Sequence, residues 1–405
     1  MSGLRLDIDL DKIGDNARHL VALAGERGVS ITGVTKALLG DARLARTLVV
    51  AGVVGLGDSR IENIERMRHA HVHSPMTLIR SPMPSQVDRV ARADTTSMNS
   101  DTDVLTALAT AARLCGRIHD VIVMVELGDL RDGVMSAELH ETVRHVLRRP
   151  TLRLEGIGTN LACRNGIEPS RQNMGELSDL ADSVESAFGI ELRTVSGGNS
   201  ANLGWLSTAE QLGRVNNLRL GEAILLGRDP LRRQPLVGLH TDAITLIGEV
   251  IESRRKPSRP WGRAGQNAFG ETDTEPNDDG GDHSIWQTIV AVGRQDTDPR
   301  DLRTTAGVTV LAASSDHLMV ETSVKMVAGD EIRFEPGYSA LLRSMTSPFV
   351  HKEVRRDRAD RTTISVSSRG RAGNQGGTTV GRRTANLTIV PAMRPAAGAA
   401  PRSDR

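Results

Sequence analysis

Between residues 4 and about 235, short runs of Val, Ile and Leu alternate with longer stretches whose apolar residues recur every three to four positions. The first pattern predicts strands buried on both faces, the second amphipathic helices. Strands are predicted at 4–9, 30–35, 53–56, 76–79, 95–98, 121–126, 153–157 and 191–195, with a ninth apolar run near 217–220. Helical periodicity covers 11–27, 41–50, 59–69, 101–115, 137–148 and 170–188. About eight strand–helix units in about 230 residues predict an α/β fold of the (β/α)8 TIM barrel kind over residues 1–235, with a doubly wound open sheet as the competing architecture.

After residue 235 helical periodicity fades, and strand-like runs follow at 243–251, 285–292, 308–312, 318–321 and 331–334. They predict a smaller C-terminal domain over 236–352, mainly antiparallel β. Residues 254–282, rich in Gly, Pro, Asp and Asn, read as a long surface loop. The end of the chain, 353–405, reads as a disordered basic tail, since residues 351–405 hold twelve Lys/Arg against four Asp/Glu and few apolar residues.

Composition narrows the function classes. Lys plus Arg number 51 and Asp plus Glu 50, so a net charge of +1 gives no field that would draw the chain to nucleic acid or an anionic membrane. Three Trp, one Tyr and four Phe offer almost no material for base stacking. No apolar run approaches the ~18 residues of a membrane span. Two cysteines, Cys115 and Cys163, are too few for a disulfide framework or a cysteine metal site, and they point to a reducing cytoplasm.

Candidate chemistry gathers at predicted strand ends. Lys36 closes an apolar strand, where barrel active sites are built, and partial desolvation would make its amine a nucleophile toward carbonyls. Arg131 follows the strongest apolar strand and could clamp a carboxylate or phenolic oxygen. Ser196-Gly-Gly-Asn-Ser is a glycine-rich turn leading into a short helix, where backbone amides and the Ser200 hydroxyl could cradle a phosphate. Arg219-Leu-Gly-Glu adds exposed amides and a second arginine. One lysine, a phosphate cradle and two arginines at one barrel mouth describe a pyridoxal phosphate site.

The motifs Thr35-Lys36-Ala37, Gly57-Asp58-Ser59-Arg60-Ile61-Glu62-Asn63, Ser81-Pro82-Met83, Leu127-Gly128-Asp129-Leu130-Arg131-Asp132-Gly133, Gly158-Thr159-Asn160, Ser196-Gly197-Gly198-Asn199-Ser200 and Arg219-Leu220-Gly221-Glu222 resemble those of the alanine racemase superfamily, fold type III pyridoxal phosphate enzymes. The ornithine racemase-like branch is the nearest in look. The likeness continues through Ala268-Phe269-Gly270, Gly293-Arg294-Gln295-Asp296, Ser314-Ser315-Asp316-His317-Leu318 and Met345-Thr346-Ser347-Pro348. It implies an isomerase that uses pyridoxal 5'-phosphate, with Lys36 in Schiff-base chemistry and as one base at Cα. It implies Arg219 beside the pyridine nitrogen, Arg131 at the phenolic oxygen and substrate carboxylate, and Ser200 with the amides of Gly221 and Glu222 at the phosphate. Asn160 falls where alanine racemases carry a histidine near the ring. The resemblance also implies a homodimer in which one subunit's β domain closes over the other's barrel mouth.

Racemisation needs proton exchange on both faces of Cα, and the family's tyrosine for the second face is replaced by Arg294. His317, Asp296 and Tyr338 are the candidates for that role. A histidine is the residue type that ordinarily titrates nearest neutrality, and Asp316 could orient it. The substrate implied is an amino acid, ornithine or another basic one, whose distal ammonium would meet Asp129, Asp132, Asp296 or Asp316. Three other readings stand beside it: a non-catalytic pyridoxal phosphate-binding or homeostasis protein; a metal-assisted lyase or dehydratase acting on a D-hydroxy amino acid, for which adjacent Asp316-His317 with no nearby cysteine is weak support; and a diverged protein that has lost activity, since the expected tyrosine is absent.

Overall fold

The computed structural model describes residues 3–263, 265–271 and 283–356. Residues 272–282 of the expected loop and the expected tail from 357 onward lie outside the described residues.

The chain opens on β1 (Arg5–Asp9) and α1 (Leu10–Gly25). There follow β2 (Ser30–Val34), α2 (Ala42–Val50), β3 (Gly55–Asp58), α3 (Ile61–His69), β4 (Met76–Leu78), α4 (Val87–Arg92), β5 (Thr96–Asn99), α5 (Thr102–Leu114), β6 (His119–Met124), α6 (Leu139–Leu147), β7 (Leu152–Gly158), α7 (Arg171–Phe188), β8 (Thr194–Ser196), α8 (Asn202–Thr208), β9 (Asn217–Leu220) and α9 (Glu222–Leu226). Strands β2 to β9 form a closed parallel barrel, shut by β9 pairing with β2 so that Arg219 lies opposite Thr32. The helices begin where sequence chemistry says they should: Asp9, Asp41 and Asp101 each accept two first-turn amides at the N-caps of α1, α2 and α5. Apolar strand residues such as Ile31, Val121, Val123 and Val195 are buried.

Among the polar groups inside the barrel, Asn99 Oδ1 and Asn160 Nδ2 lack a partner, whereas the imidazole of His119 has one. His119, at the start of β6, is buried with Nε2 2.8 Å from Ser97 Oγ. Burial pushes its pKa down to about 4. The folded state thus keeps His119 neutral where the unfolded chain, titrating near ~6.5, already binds a proton. Stability is expected to fall as pH drops from that value toward the folded pKa, by about 3 kcal/mol over the window. Chemical denaturation at stepped pH should show this slope, and a His119→Gln variant should flatten it; an equal slope in both would remove His119 as the cause.

The second domain comprises β10 (Ile244–Pro257), β11 (Ser284–Val290), β12 (Leu302–Thr304), β13 (Val308–Ala313), β14 (Leu318–Thr322), β15 (Glu331–Pro336), α10 (Tyr338–Thr346) and β16 (His351–Arg355). Its main sheet runs β12-β15-β10-β11-β14-β13 with antiparallel neighbours. Three features differ from expectation. The run at 4–9 is not a barrel stave: β1 pairs antiparallel with β10 and parallel with β16, and Arg5 donates to Glu331 at 2.5 and 2.8 Å. An isolated apolar strand carries no mark of which sheet it will join, and the ninth run supplied the eighth stave. Strand β10 continues to Pro257 instead of breaking near 254, because its polar end is held by a Lys256–Glu252 pair and by Arg255 over the Trp286 ring at 5.2 Å. The segment around Tyr338 is a helix N-terminus, whereas its Glu-Pro-Gly-Tyr-Ser sequence reads as a turn. Gly337 leads into it, and a Cβ there would sit 2.0 Å from Asp301 Oδ1. Asp301 accepts from the amides of Ser339 and Ala340, which fixes the first turn of α10.

Candidate active site

A cavity of about 220 Å3 opens at the C-terminal mouth of the barrel. Its lining includes Lys36, Arg131, Asn160, Ser200, Arg219, Gly221, Glu222 and Tyr338, so every cofactor-site residue expected from the sequence reaches one place. A roomier cavity of about 700 Å3 lies beside α8, lined by Glu168, Arg171, Trp205 and Arg232 among others. It contains none of the groups that converge on Lys36, and chemistry, not volume, selects the smaller one.

Lys36 is set by a polar corner at the end of β2. Thr35 Oγ1 donates to Asp58 Oδ2 at 2.7 Å, and Asp58 also accepts from Asn63 Nδ2 and the Arg60 amide. Leu39 and Gly40, both at positive φ, then turn the chain into α2. Burial pulls the Lys36 amine below the ordinary lysine range; Cys163 and Asp58 oppose this, while the cations Arg131 and Arg219 add to it. A lowered amine pKa raises the neutral, nucleophilic fraction near pH 7.

Arg219 is buried, donating to Ser196 Oγ at 2.5 Å, Thr159 O at 2.7 Å and Asn160 Oδ1 at 3.3 Å. Ser196 passes the restraint on to Asn217, whose amide donates to Thr32 Oγ1 at 3.1 Å. All three acceptors are neutral, and burial with the nearby Arg131 draws the guanidinium down to about 10. Arg131 rides on a loop folded around Glu126, which accepts from the amides of Gly128, Leu130 and Arg131. Asp129 ties that loop to the next one by accepting from the amides of Cys163, Arg164, Asn165 and Ile167. Burial works against its charge, but the four amides prevail and hold its pKa below the usual carboxylate value. Its oxygens are therefore occupied, which takes it out of the set of carboxylates that could meet a substrate ammonium.

The glycine-rich turn before α8 is built as a cradle. Gly198 sits at φ +141, and a Cβ there would lie 2.2 Å from Asn202 Oδ1, so this crossing requires glycine. Asn202 accepts from the Asn199 amide, and Ser200 Oγ accepts from the Ala223 amide at 3.1 Å. That bond turns the Ser200 oxygen toward the first turn of α9 and leaves its proton to give. Beside it, Asn160 Nδ2 is buried without an acceptor. An unspent amide donor, a buried guanidinium facing neutral oxygens and a desolvated lysine form the donor set that a compact, anionic, aldehyde-bearing cofactor such as pyridoxal phosphate needs.

Tyr338 enters the cavity from α10, which packs on the 36–38 turn. Lys36 Nζ lies 6.0 Å from its ring centroid. Burial, with the charge of Glu222, lifts the phenol pKa above its ordinary value, so the ring stays protonated. Within one chain the other two candidates for the second face do not reach this cavity. Asp296 is buried in its own domain, accepting from Ser347 Oγ and the Gly293 amide. His317 is half-buried at the turn between β13 and β14, with Nδ1 2.9 Å from Asp316 Oδ1. Among the described residues no cluster of three or more His, Cys, Asp or Glu gathers there or elsewhere to hold a metal ion. Arg294 stacks on Phe269 at 3.9 Å and donates to Glu271.

Two lining residues went unread in the sequence. Cys163, which accepts from Arg131 Nη1 at 3.2 Å, served there only as evidence of compartment. Arg233 lies 11 residues beyond Glu222 and belongs to no motif, and the fold brings it in.

The family model described as alanine racemase, N-terminal domain, matches residues 8–229. An ornithine racemase of Acetoanaerobium sticklandii is 35% identical over 356 residues, covering 86% of this chain and 99% of that protein. A lysine racemase of Thermotoga maritima is 40% identical over 354 residues, covering 86% and 97%. The solved alanine racemase of Streptomyces lavendulae shares the fold, with a TM-score of 0.66 at 19% identity over 87% of this chain and 97% of that one. Barrel, β domain, lysine corner and these likenesses converge: the chain belongs to the alanine racemase family, in its ornithine racemase-like branch, and is an isomerase of the amino-acid racemase kind.

Proposed function

We propose that the protein is a pyridoxal phosphate-dependent racemase that interconverts the L and D forms of a basic amino acid of the ornithine and lysine class. The observation that carries the cofactor is the single cavity in which desolvated Lys36 meets Arg131, Arg219, Ser200 and the unpartnered Asn160 amide. The substrate class rests on relatives named ornithine racemase and lysine racemase that align along almost their whole length.

Pyridoxal phosphate, when bound, supplies an electron sink for charge developing at Cα. Lys36 would hold the cofactor covalently, and its amine would move the Cα proton on its own face. Arg219 would donate toward the ring nitrogen and keep it unprotonated, which would favour brief proton exchange over transamination. Arg131 would orient the substrate carboxylate and the phenolic oxygen, while Asn160 would give its amide proton at the ring edge. Ser200 and the amides of Gly221 and Glu222 would hold the phosphate. His317, oriented by Asp316 and presented outward, serves the opposite face from the second subunit of a homodimer. Of the carboxylates available for a distal ammonium, Asp129 and Asp296 are engaged internally, which leaves Asp132 beside Arg131 and Asp316 beside His317. Both cysteines are free thiols, in keeping with a cytoplasmic protein, and among the described residues no helix is long and apolar enough to cross a membrane.

The test is incubation of the cofactor-loaded protein with single L-amino acids in D2O. Ornithine or lysine should gain α-deuterium and invert, faster than alanine. Cofactor uptake without exchange on any amino acid would sink the racemase reading and favour the binding-protein one.

A further inference from the structure

Four cationic side chains line the cavity among the described residues: Lys36, Arg131, Arg219 and Arg233. Under the reading above, three have partners on the ring side of the cofactor. Lys36 meets its aldehyde carbon, Arg131 its phenolic oxygen and Arg219 its ring nitrogen. Arg131 lies close enough to Arg219 for its charge to lower the Arg219 pKa.

Around Ser200 the setting is different: Glu222, the only acidic side chain lining the cavity among the described residues, starts α9, and Ser200 accepts from the next amide of the same turn. A carboxylate at this spot repels a phosphate dianion, and amides alone would have to overcome that repulsion. Arg233 answers it. Its guanidinium donates to Glu222 Oε1 while facing the cavity. The residue is presented on a tight loop in which Asp229 N donates to Gln234 O and Arg233 N to Asp229 O, and it adopts φ +58, unusual for a side chain of this size. Arg303 donates to the Arg233 carbonyl, and burial together with Arg228 holds the Arg303 guanidinium below its usual range.

We propose that Arg233 is a cofactor-anchoring residue: it offsets Glu222 and binds the 5'-phosphate directly, supplying the cation that the phosphate end otherwise lacks. This rests on the pyridoxal phosphate reading of the cavity. It also gives Glu222 a side-chain role, as the fixed acceptor that aims Arg233.

The experiment compares binding of pyridoxal phosphate and of pyridoxal, which lacks the phosphate, to the full-length apoprotein by equilibrium fluorescence. Charge-assisted hydrogen bonds set the scale. Arg233→Ala should weaken pyridoxal phosphate by about tenfold to a hundredfold and pyridoxal by less than about twofold. Arg233→Lys should fall between. The double variant Glu222→Gln/Arg233→Ala removes the repelling carboxylate together with its counter-ion. If Arg233 touches the phosphate, the double variant still discriminates poorly between the two probes. Recovery of the wild-type ratio in the double variant would reduce Arg233 to a counter-ion for Glu222 and overturn the proposal, as would an unchanged ratio in Arg233→Ala. If the wild type takes up neither probe, the cofactor reading itself fails and this proposal with it; uptake with a ratio blind to Arg233 overturns this proposal alone. Apoprotein melting curves confirm that each variant is folded when its affinity is read.

Discussion

Lys36→Ala protein is expected to lose racemisation by on the order of a thousandfold or more, because one substitution removes both the covalent holder of the cofactor and a base at Cα. Its visible absorption band of lysine-bound cofactor should vanish, and α-deuterium incorporation from either enantiomer should vanish with it. Folding should survive. The Lys36 amine is buried and carries a desolvation cost, and no hydrogen bond of the Thr35–Asp58–Asn63 corner depends on it. Deleting it should leave apoprotein stability unchanged or slightly raised, within about 1 kcal/mol. Deuterium exchange persisting in the variant at more than a few per cent of the wild-type rate would mean that another group takes the proton, and the assignment of Lys36 would be lost. A destabilised variant would mean that the corner was misread.

How much of this was visible in the residues follows from how local each signal is. The staves β2 to β9 are apolar runs bounded by turn chemistry, so their existence could be read one by one. Lys36, Arg131, Ser200 and Arg219 could be read because each lies at the end of such a run, where the barrel's own geometry makes strand ends converge. What could not be read depends on contacts between distant segments. The placement of β1 in the second sheet is decided by β10 and β16, more than 230 residues away. Tyr338 meets Lys36 because Asp301 caps α10 and α10 packs on the 36–38 turn, and no spacing in the sequence encodes that. Asp129 looks like a free carboxylate beside Arg131 until the loop at 161–167 folds over it and its oxygens are filled by amides. Arg233 carries no motif at all.

The site within one chain is one-sided. Lys36 and Tyr338 share a cavity, whereas His317 faces outward on the β domain with Asp316 fixing its Nδ1. We propose that a base so placed serves another molecule's barrel mouth. Loss of it, as in His317→Ala, is expected to slow inversion by roughly a hundredfold to ten-thousandfold while one-face deuterium exchange through Lys36 continues. Mixing subunits then separates the geometry. Lys36→Ala and His317→Ala subunits, unfolded together and refolded at equal concentration, should form mixed dimers in about half of cases. Each mixed dimer pairs one intact Lys36 with one intact His317 from the other subunit and rebuilds one site of two, so about a quarter of wild-type turnover should return. Lys36→Ala mixed with Tyr338→Ala should gain much less by the same route, since those two side chains belong to the same cavity of the same chain: the rebuilt site would need both intact in one subunit, and neither parent has that. Rescue of the second mixture but not the first would place Tyr338, not His317, across the subunit boundary and would contradict the cavity described above. Failure of both in proven mixed dimers would mean that each chain completes its own site, and the opposite-face proton would then have to come from within the cavity, which Tyr338 and Cys163 also line.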